Sequence, residues 1–349
     1  MPRNGLALLT SALMLTACGG SQAPGSSETP GTDGTPGTPG QPTSSGVVLD
    51  EDFSSAGAQV LPTDNWWNLD VSAAPVDPDS AAYISWISPS RALHPDFGPP
   101  PYGIPYVGVS GSQALREVTF VSWPGESDAG APGRPPGYPI PDEAFMHTAF
   151  IEGGEAGGGS SGDRHLLVID RDNWLLFETG GTHWNSAEQR WEADCGAVFD
   201  LATNARRPDT WTSADAAGLA IFPGLVRYDE VYGPDEIKHA FRFTTSSTNS
   251  YIWPASHEAG STSGALPMGA RLRLKKTVDG EDPALRTSNP QMQKIFRAMQ
   301  TYGLILADNG SNMYITGAMD ERWDNGILNP AFATLHAGDF EVVELGWQP

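Results

Sequence analysis

Apolar residues in this chain come in short alternating runs, separated by segments drawn from its 40 glycines and 30 prolines. A helix interior accepts neither residue well: glycine costs about 1 kcal/mol there and proline about 3 kcal/mol. Long helices are excluded over most of the sequence, and strands joined by turns are what remains. Residues 166–169 and 174–177 flank Asp170-Arg171-Asp172-Asn173 and read as a β-hairpin. Residues 237–244 alternate, with Ile237, His239, Phe241 and Phe243 on one face and Lys238, Arg242 and Thr244 on the other. Residues 270–275 alternate likewise, and 118–123, 197–201, 251–253, 313–316 and 340–345 are further strand candidates. One helix is expected after Ser288-Asn289-Pro290-Gln291, which supplies an N-cap, an early proline and a capping-box Gln. Met292, Ile295, Phe296, Met299 and Tyr302 then share a face, and Gly303 is placed to end it. Residues 213–217 read as a weaker helix. The pattern predicts an all-β chain: a single large β-sandwich or jelly-roll-like domain with long Gly/Pro-rich loops and one or two helices. A closed barrel is the alternative.

The N-terminus has a different character. Arg3 precedes a mostly apolar stretch over residues 6–15, which reads as a secretory signal peptide. Leu15-Thr16-Ala17-Cys18 resembles the lipobox of bacterial lipoproteins. That resemblance implies removal of residues 1–17, lipidation of Cys18 and an extracytoplasmic location. The apolar stretch falls short of the roughly 20 residues a bilayer span requires, so the membrane is expected to hold the protein through lipid only. Residues 18–46 are almost wholly Gly, Pro, Ser and Thr and predict a disordered tether. No second linker follows, so 47–349 is expected to form one β-rich domain.

Charge narrows the partners. The chain carries 20 basic and 42 acidic residues, a formal net charge of −22, with no basic stripe. Arg206-Arg207 and Lys275-Lys276 are isolated pairs, which argues against nucleic acid. There are two cysteines, and with Cys18 lipidated neither an intramolecular disulfide framework nor a cysteine-based zinc site is expected.

Eleven tryptophans is a high count, and most sit beside loops. Their flat faces suit stacking against sugar rings; Trp66 and Trp253 are candidate substrate contacts. His239 is the leading candidate for acid–base work, because partial burial beside a cleft would bring an imidazole into a useful range. Gly162-Asp163-Arg164-His165 stands at a loop-to-strand junction and makes Asp163 and His165 candidates as well. Arg227-Tyr228-Asp229-Glu230 follows a strand-like 224–226. Continued as a strand, it points Arg227 and Asp229 one way and Tyr228 and Glu230 the other. Asp229 would then need a second carboxylate, about 5 Å away for a retaining glycosidase or 6.5–9.5 Å for an inverting one. Glu126, Asp128, Glu152 and Asp163 lie in loops and could supply it.

His257 could join His165 and His239 in a metal site, but none of the three has helical i,i+4 spacing, and no metal or other cofactor is expected. Asp194-Cys195-Gly196-Ala197-Val198 loosely resembles the nucleophile motif of the NlpC/P60 cell-wall peptidases, with His239 downstream. It departs from that motif in having Gly196 where a serine is usual and a strand-like run where a helix starts.

Several segments resemble an uncharacterised family of secreted, mainly bacterial proteins. They include Leu93-His94-Pro95-Asp96-Phe97-Gly98, Gly162-Asp163-Arg164-His165, the run from Pro223 to Glu230, His239-Ala240-Phe241-Arg242-Phe243-Thr244 and Leu306-Ala307-Asp308-Asn309-Gly310-Ser311. The resemblance covers most of 60–345 and implies one continuous domain, with no activity to transfer. The expected function is glycan-directed: a surface polysaccharide hydrolase working through Asp163, His165, Asp229 and His239, with Arg227, His257, Trp66 and Trp253 binding substrate. The alternatives are a non-catalytic lectin or adhesion module, and a papain-like cysteine peptidase using Cys195.

Overall fold

The computed structural model describes residues 46–54, 59–130 and 134–349. The signal segment, Cys18 and nearly all of the tether lie outside the described residues. The described chain is β-dominated and sandwich-like, with fourteen strands in three sheets, four α-helices and no closed barrel.

The first sheet runs in the order β1 (Val48–Leu49), β3 (Tyr106–Val109), β5 (Leu166–Asp170), β6 (Leu175–Gly180) and β9 (Cys195–Asp200). β5 and β6 form the expected antiparallel hairpin. Both faces of this sheet are apolar. Leu167, Ile169 and Leu176 enter the main core, while Leu166, Val168 and Phe177 alternate into a second one. A small third sheet of β4 (Val118–Phe120), β8 (Arg190–Ala193) and β7 (His183–Asn185) covers that second core through Val118, Phe120 and Trp191.

The second sheet has the order β14 (Phe340–Val342), β11 (Arg271–Leu274), β12 (Leu304–Asn309), β10 (Phe241–Thr245), β13 (Tyr314–Thr316) and β2 (His94–Asp96). Its register decides where polar groups gather. Phe243 pairs with Ile315, Thr244 with Tyr314, and Thr316 with Asp96. Phe241, Phe243 and Ile315 therefore fill the main core, and Arg242, Thr244, Tyr314, Thr316 and Asp96 share the opposite face. A bulge between Phe243 and Thr244 shifts the pairing with β12 and brings Asp308 beside Thr244.

Four helices complete the fold: α1 (Ser80–Ile87), α2 (Tyr228–Tyr232), α3 (Pro290–Thr301) and α4 (Asn325–Phe332). In α3 the Asn289 side chain accepts the N–H groups of Gln291 and Met292, and Met292, Ile295, Phe296 and Met299 are buried. Gly303 follows with φ of +78°, a left-handed conformation in which a Cβ would also lie 2.3 Å from the Leu272 carbonyl oxygen.

Three local expectations are corrected. Residues 213–217 are turns, not helix. Tyr251 makes only an isolated bridge to Met268 rather than a strand. The run from Arg227 to Glu230 does not extend a strand: Arg227 is the extended N-cap of α2, and Asp229 and Glu230 lie in that helix's first turn. Acidic groups there face exposed backbone N–H groups, which favours the helical choice.

Candidate active site

The polar face of the second sheet forms the floor of a cleft of about 600 Å³. Asp96, Arg242, Thr244, Asp308, Tyr314 and Thr316 come from the sheet; Glu152, Asp163 and His165 come from the loops leading into β5. Gly103, also in the wall, has φ of +91°, and a Cβ there would sit 2.8 Å from the Gly317 carbonyl oxygen, so the wall closes tightly only with glycine.

Arg242 is the central cation. Its guanidinium is buried; Nη2 donates to Asp215 Oδ1 at 2.8 Å, Nε to Asp215 Oδ2 at 3.3 Å, and Nη1 to Thr316 Oγ1 at 2.8 Å. Asp308 Oδ2 stands further off, 3.7 Å from Nη2. Two buried carboxyls thus share one guanidinium. Burial and then the neighbouring Asp215 hold Asp308 well above the usual carboxylate range, and Arg242 only partly offsets them.

His165 has both ring nitrogens engaged by acceptors. Nδ1 donates to Glu152 Oε2 at 2.6 Å and Nε2 to the Ala214 carbonyl at 3.1 Å. Donating from both nitrogens requires the imidazolium. Burial works against that charge, but Glu152 outweighs it and holds His165 up at about 9. Burial alone would raise Glu152, yet the charge and hydrogen bonds of His165 bring it below its ordinary value. Asp96 is moved the other way. Its carboxyl has no hydrogen-bond partner among the described residues, and burial followed by the Glu152 charge raises it to about 6. The cleft therefore holds two carboxyls, Asp96 and Asp308, biased toward the acid and a third, Glu152, fixed as a carboxylate.

The sequence candidates divide between this cleft and another. Asp163 and His165 line the first. Arg227, Asp229 and His239 line a second cleft of about 520 Å³, which shares no lining residue with the first. The expectation that all four catalytic candidates converge is thereby corrected. His239 lies just before β10, outside the strand; its Nδ1 donates to the Ala240 carbonyl at 2.8 Å, and Nε2 is 3.0 Å from Glu230 Oε2. Burial opposes ionisation of Glu230, but Arg227 and then His239 bring it down to about 2. Arg227 is spent on that carboxylate at 2.6 Å and on the Phe222 carbonyl at 2.7 Å. Asp229 accepts a two-pronged bond from Arg322, at 2.6 and 3.0 Å. Lys294 donates to the Glu230 and Gly233 carbonyls, fixing the end of α2. These contacts make a bonded structural girdle around α2.

Other candidates are placed elsewhere. Trp66 is 8 % exposed and packs edge-on against the half-buried Trp253, with ring centres 6.3 Å apart; neither lines either of these two clefts. None of the eleven tryptophans is exposed, because they fill cores and loop bases. His257 bonds the Ala216 carbonyl through Nδ1 at 2.9 Å and lines neither cleft. Among the described residues no group of three metal-ligating side chains is placed to hold an ion. Glu126 accepts the Thr212 N–H, and Asp128 is buried against Arg207 at 2.6 Å, so neither serves the cleft. Cys195 is fully buried at the start of β9 and lines neither cleft, which puts its sulfur out of a substrate's reach and removes the nucleophile of the peptidase reading. The one other cysteine, Cys18, lies outside the described residues.

Sequence reasoning missed Asp96, Arg242 and Asp308 as site residues. Alternation places Arg242 and Thr244 together on the face opposite Phe241 and Phe243, which is the available signal. A polar face on a strand is more often solvent-facing, so alternation alone did not mark it. No family model, curated protein or solved structure matches the chain.

Proposed function

We propose that the protein is a secreted, lipid-anchored polysaccharide hydrolase whose active site is the cleft over the second sheet. The observation that carries the reading is the opposed bias of Asp96 and Glu152 within one cavity. Two carboxyls whose surroundings push them apart are suited to act as acid and as nucleophile or base. Asp96 protonates the leaving glycosidic oxygen. Glu152, held ionised by His165, either attacks the anomeric carbon or activates the water that does. Its charge, with that of Asp163, faces the positive charge that develops on the sugar ring. His165 orients Glu152 rather than shuttling a proton, since both ring nitrogens are occupied. Tyr102, 59 % exposed at the cleft rim, and Tyr314 offer ring faces to the sugar in place of the tryptophans.

The lipid anchor belongs to the same proposal and rests on residues 1–18.

The test is release of new reducing ends from a panel of polysaccharides by the wild-type protein and by Asp96→Asn. Release that the substitution abolishes supports the hydrolase. Retention of a glycan by the wild-type protein without any release overturns it in favour of the lectin alternative.

A further inference from the structure

We infer that the cleft accepts a glycan without acidic groups, neutral or amino-bearing, and rejects polyuronates and other anionic polysaccharides. This inference rests on the proposed glycan-binding cleft and names its substrate class.

The argument is the distribution of donors and charge. Four acids line the cleft: Asp96, Glu152, Asp163 and Asp308. Two cations line it, and both are committed. Arg242 directs Nε and Nη2 at Asp215 and Nη1 at Thr316, and is 4 % exposed. His165 gives its two N–H groups to Glu152 and the Ala214 carbonyl, and is 3 % exposed. A substrate carboxylate or sulfate entering here meets the carboxylates of Glu152 and Asp163, while both cations are already bonded within the protein. Like charges brought together in a partly desolvated site repel strongly. A sugar carrying hydroxyl, amide or ammonium donors meets those oxygens as acceptors instead. The chain's net charge of −22 acts in the same direction at longer range, slowing the approach of a polyanion.

The experiment compares a neutral glucan with its carboxymethylated derivative, which keeps every linkage and adds only charge. Retardation of the protein in gels containing each polymer reads binding, and new reducing ends read cleavage. Binding to the neutral polymer at least about tenfold tighter than to the charged one is expected, with the gap narrowing in salt. Asp163→Asn is expected to tighten retention on the carboxymethylated polymer. Equal or tighter binding of the carboxymethylated polymer by the wild-type protein overturns the substrate class, and if that polymer is also cut the hydrolase reading survives. Preferential binding of the neutral polymer without cleavage supports the substrate class and overturns the hydrolase. Failure to bind or cut either polymer, or glucosamine oligomers tested beside them, overturns both.

Discussion

Glu152 Oε2 lies 2.6 Å from His165 Nδ1 and also faces the backbone N–H of the same residue at 3.3 Å. One carboxylate oxygen is thus fixed twice by one residue at the mouth of β5, while the other oxygen is left to the cleft.

The first prediction concerns the two carboxyls. Asp96→Asn removes the proton donor and Glu152→Gln the fixed negative charge. Each is expected to lower kcat on a polysaccharide by about 10²–10⁴-fold, the usual worth of a positioned acid or base. Asp96→Asn should leave the thermal midpoint nearly unchanged, since that carboxyl has no hydrogen bond to lose. Steady-state kinetics and thermal melts of the same samples check both parts.

The second concerns stability against pH. His165 is held at about 9 in the folded protein against an ordinary 6.5. A raised cationic group stabilises the fold fully below about 6.5, and its contribution is lost as pH climbs through about 9. The loss corresponds to about 3 kcal/mol over that window. Denaturant unfolding at pH 6 and pH 9.5 should show it, and His165→Gln should flatten the slope.

The third concerns the second cleft. Asp229→Asn breaks the fork from Arg322, a pair whose side chains are 29 % and 23 % exposed, and is expected to cost about 1 kcal/mol. His239→Ala strips Glu230 of a partner and is expected to cost about 1–3 kcal/mol. Denaturant midpoints measure both. A loss of turnover in these variants that exceeds that of Asp96→Asn would move the active site to the second cleft.

The fourth concerns the anchor. Labelled palmitate is expected to enter the wild-type protein made in a bacterial host and not Cys18→Ser, and the variant should leave the membrane fraction. An unlabelled wild-type protein would show that Cys18 keeps its sulfur for other chemistry.

Much of the scaffold was legible in the chain, and for a physical reason. The hairpin of β5 and β6 and the helix α3 announce themselves through period and capping, which depend on neighbours in sequence. Parallel pairing was not legible: β10 runs alongside β12, and β13 alongside β2, which alternation cannot report. The site was half legible. Asp163 and His165 were named because they stand at a strand entrance. Asp96 was not, because its role depends on register with Thr316 across β13 and on the charge of Glu152 from another layer. Asp229 and His239 look as reactive in sequence as any acid and imidazole. Only the structure shows that Asp229 is spent on Arg322, and His239 on Glu230, which Arg227 also holds.

The pH dependence of kcat/KM on a neutral glycan tests the central claim most directly, because it reports the acid and base of the free enzyme. Asp96 must carry its proton and Glu152 must lack one. Activity is expected to fall as pH rises through about 6, where Asp96 loses its proton, and to persist on the acid side until Glu152 takes one up. A rate that stays level from pH 5 to pH 8, or climbs across that range, would contradict the assignment of Asp96 as the acid.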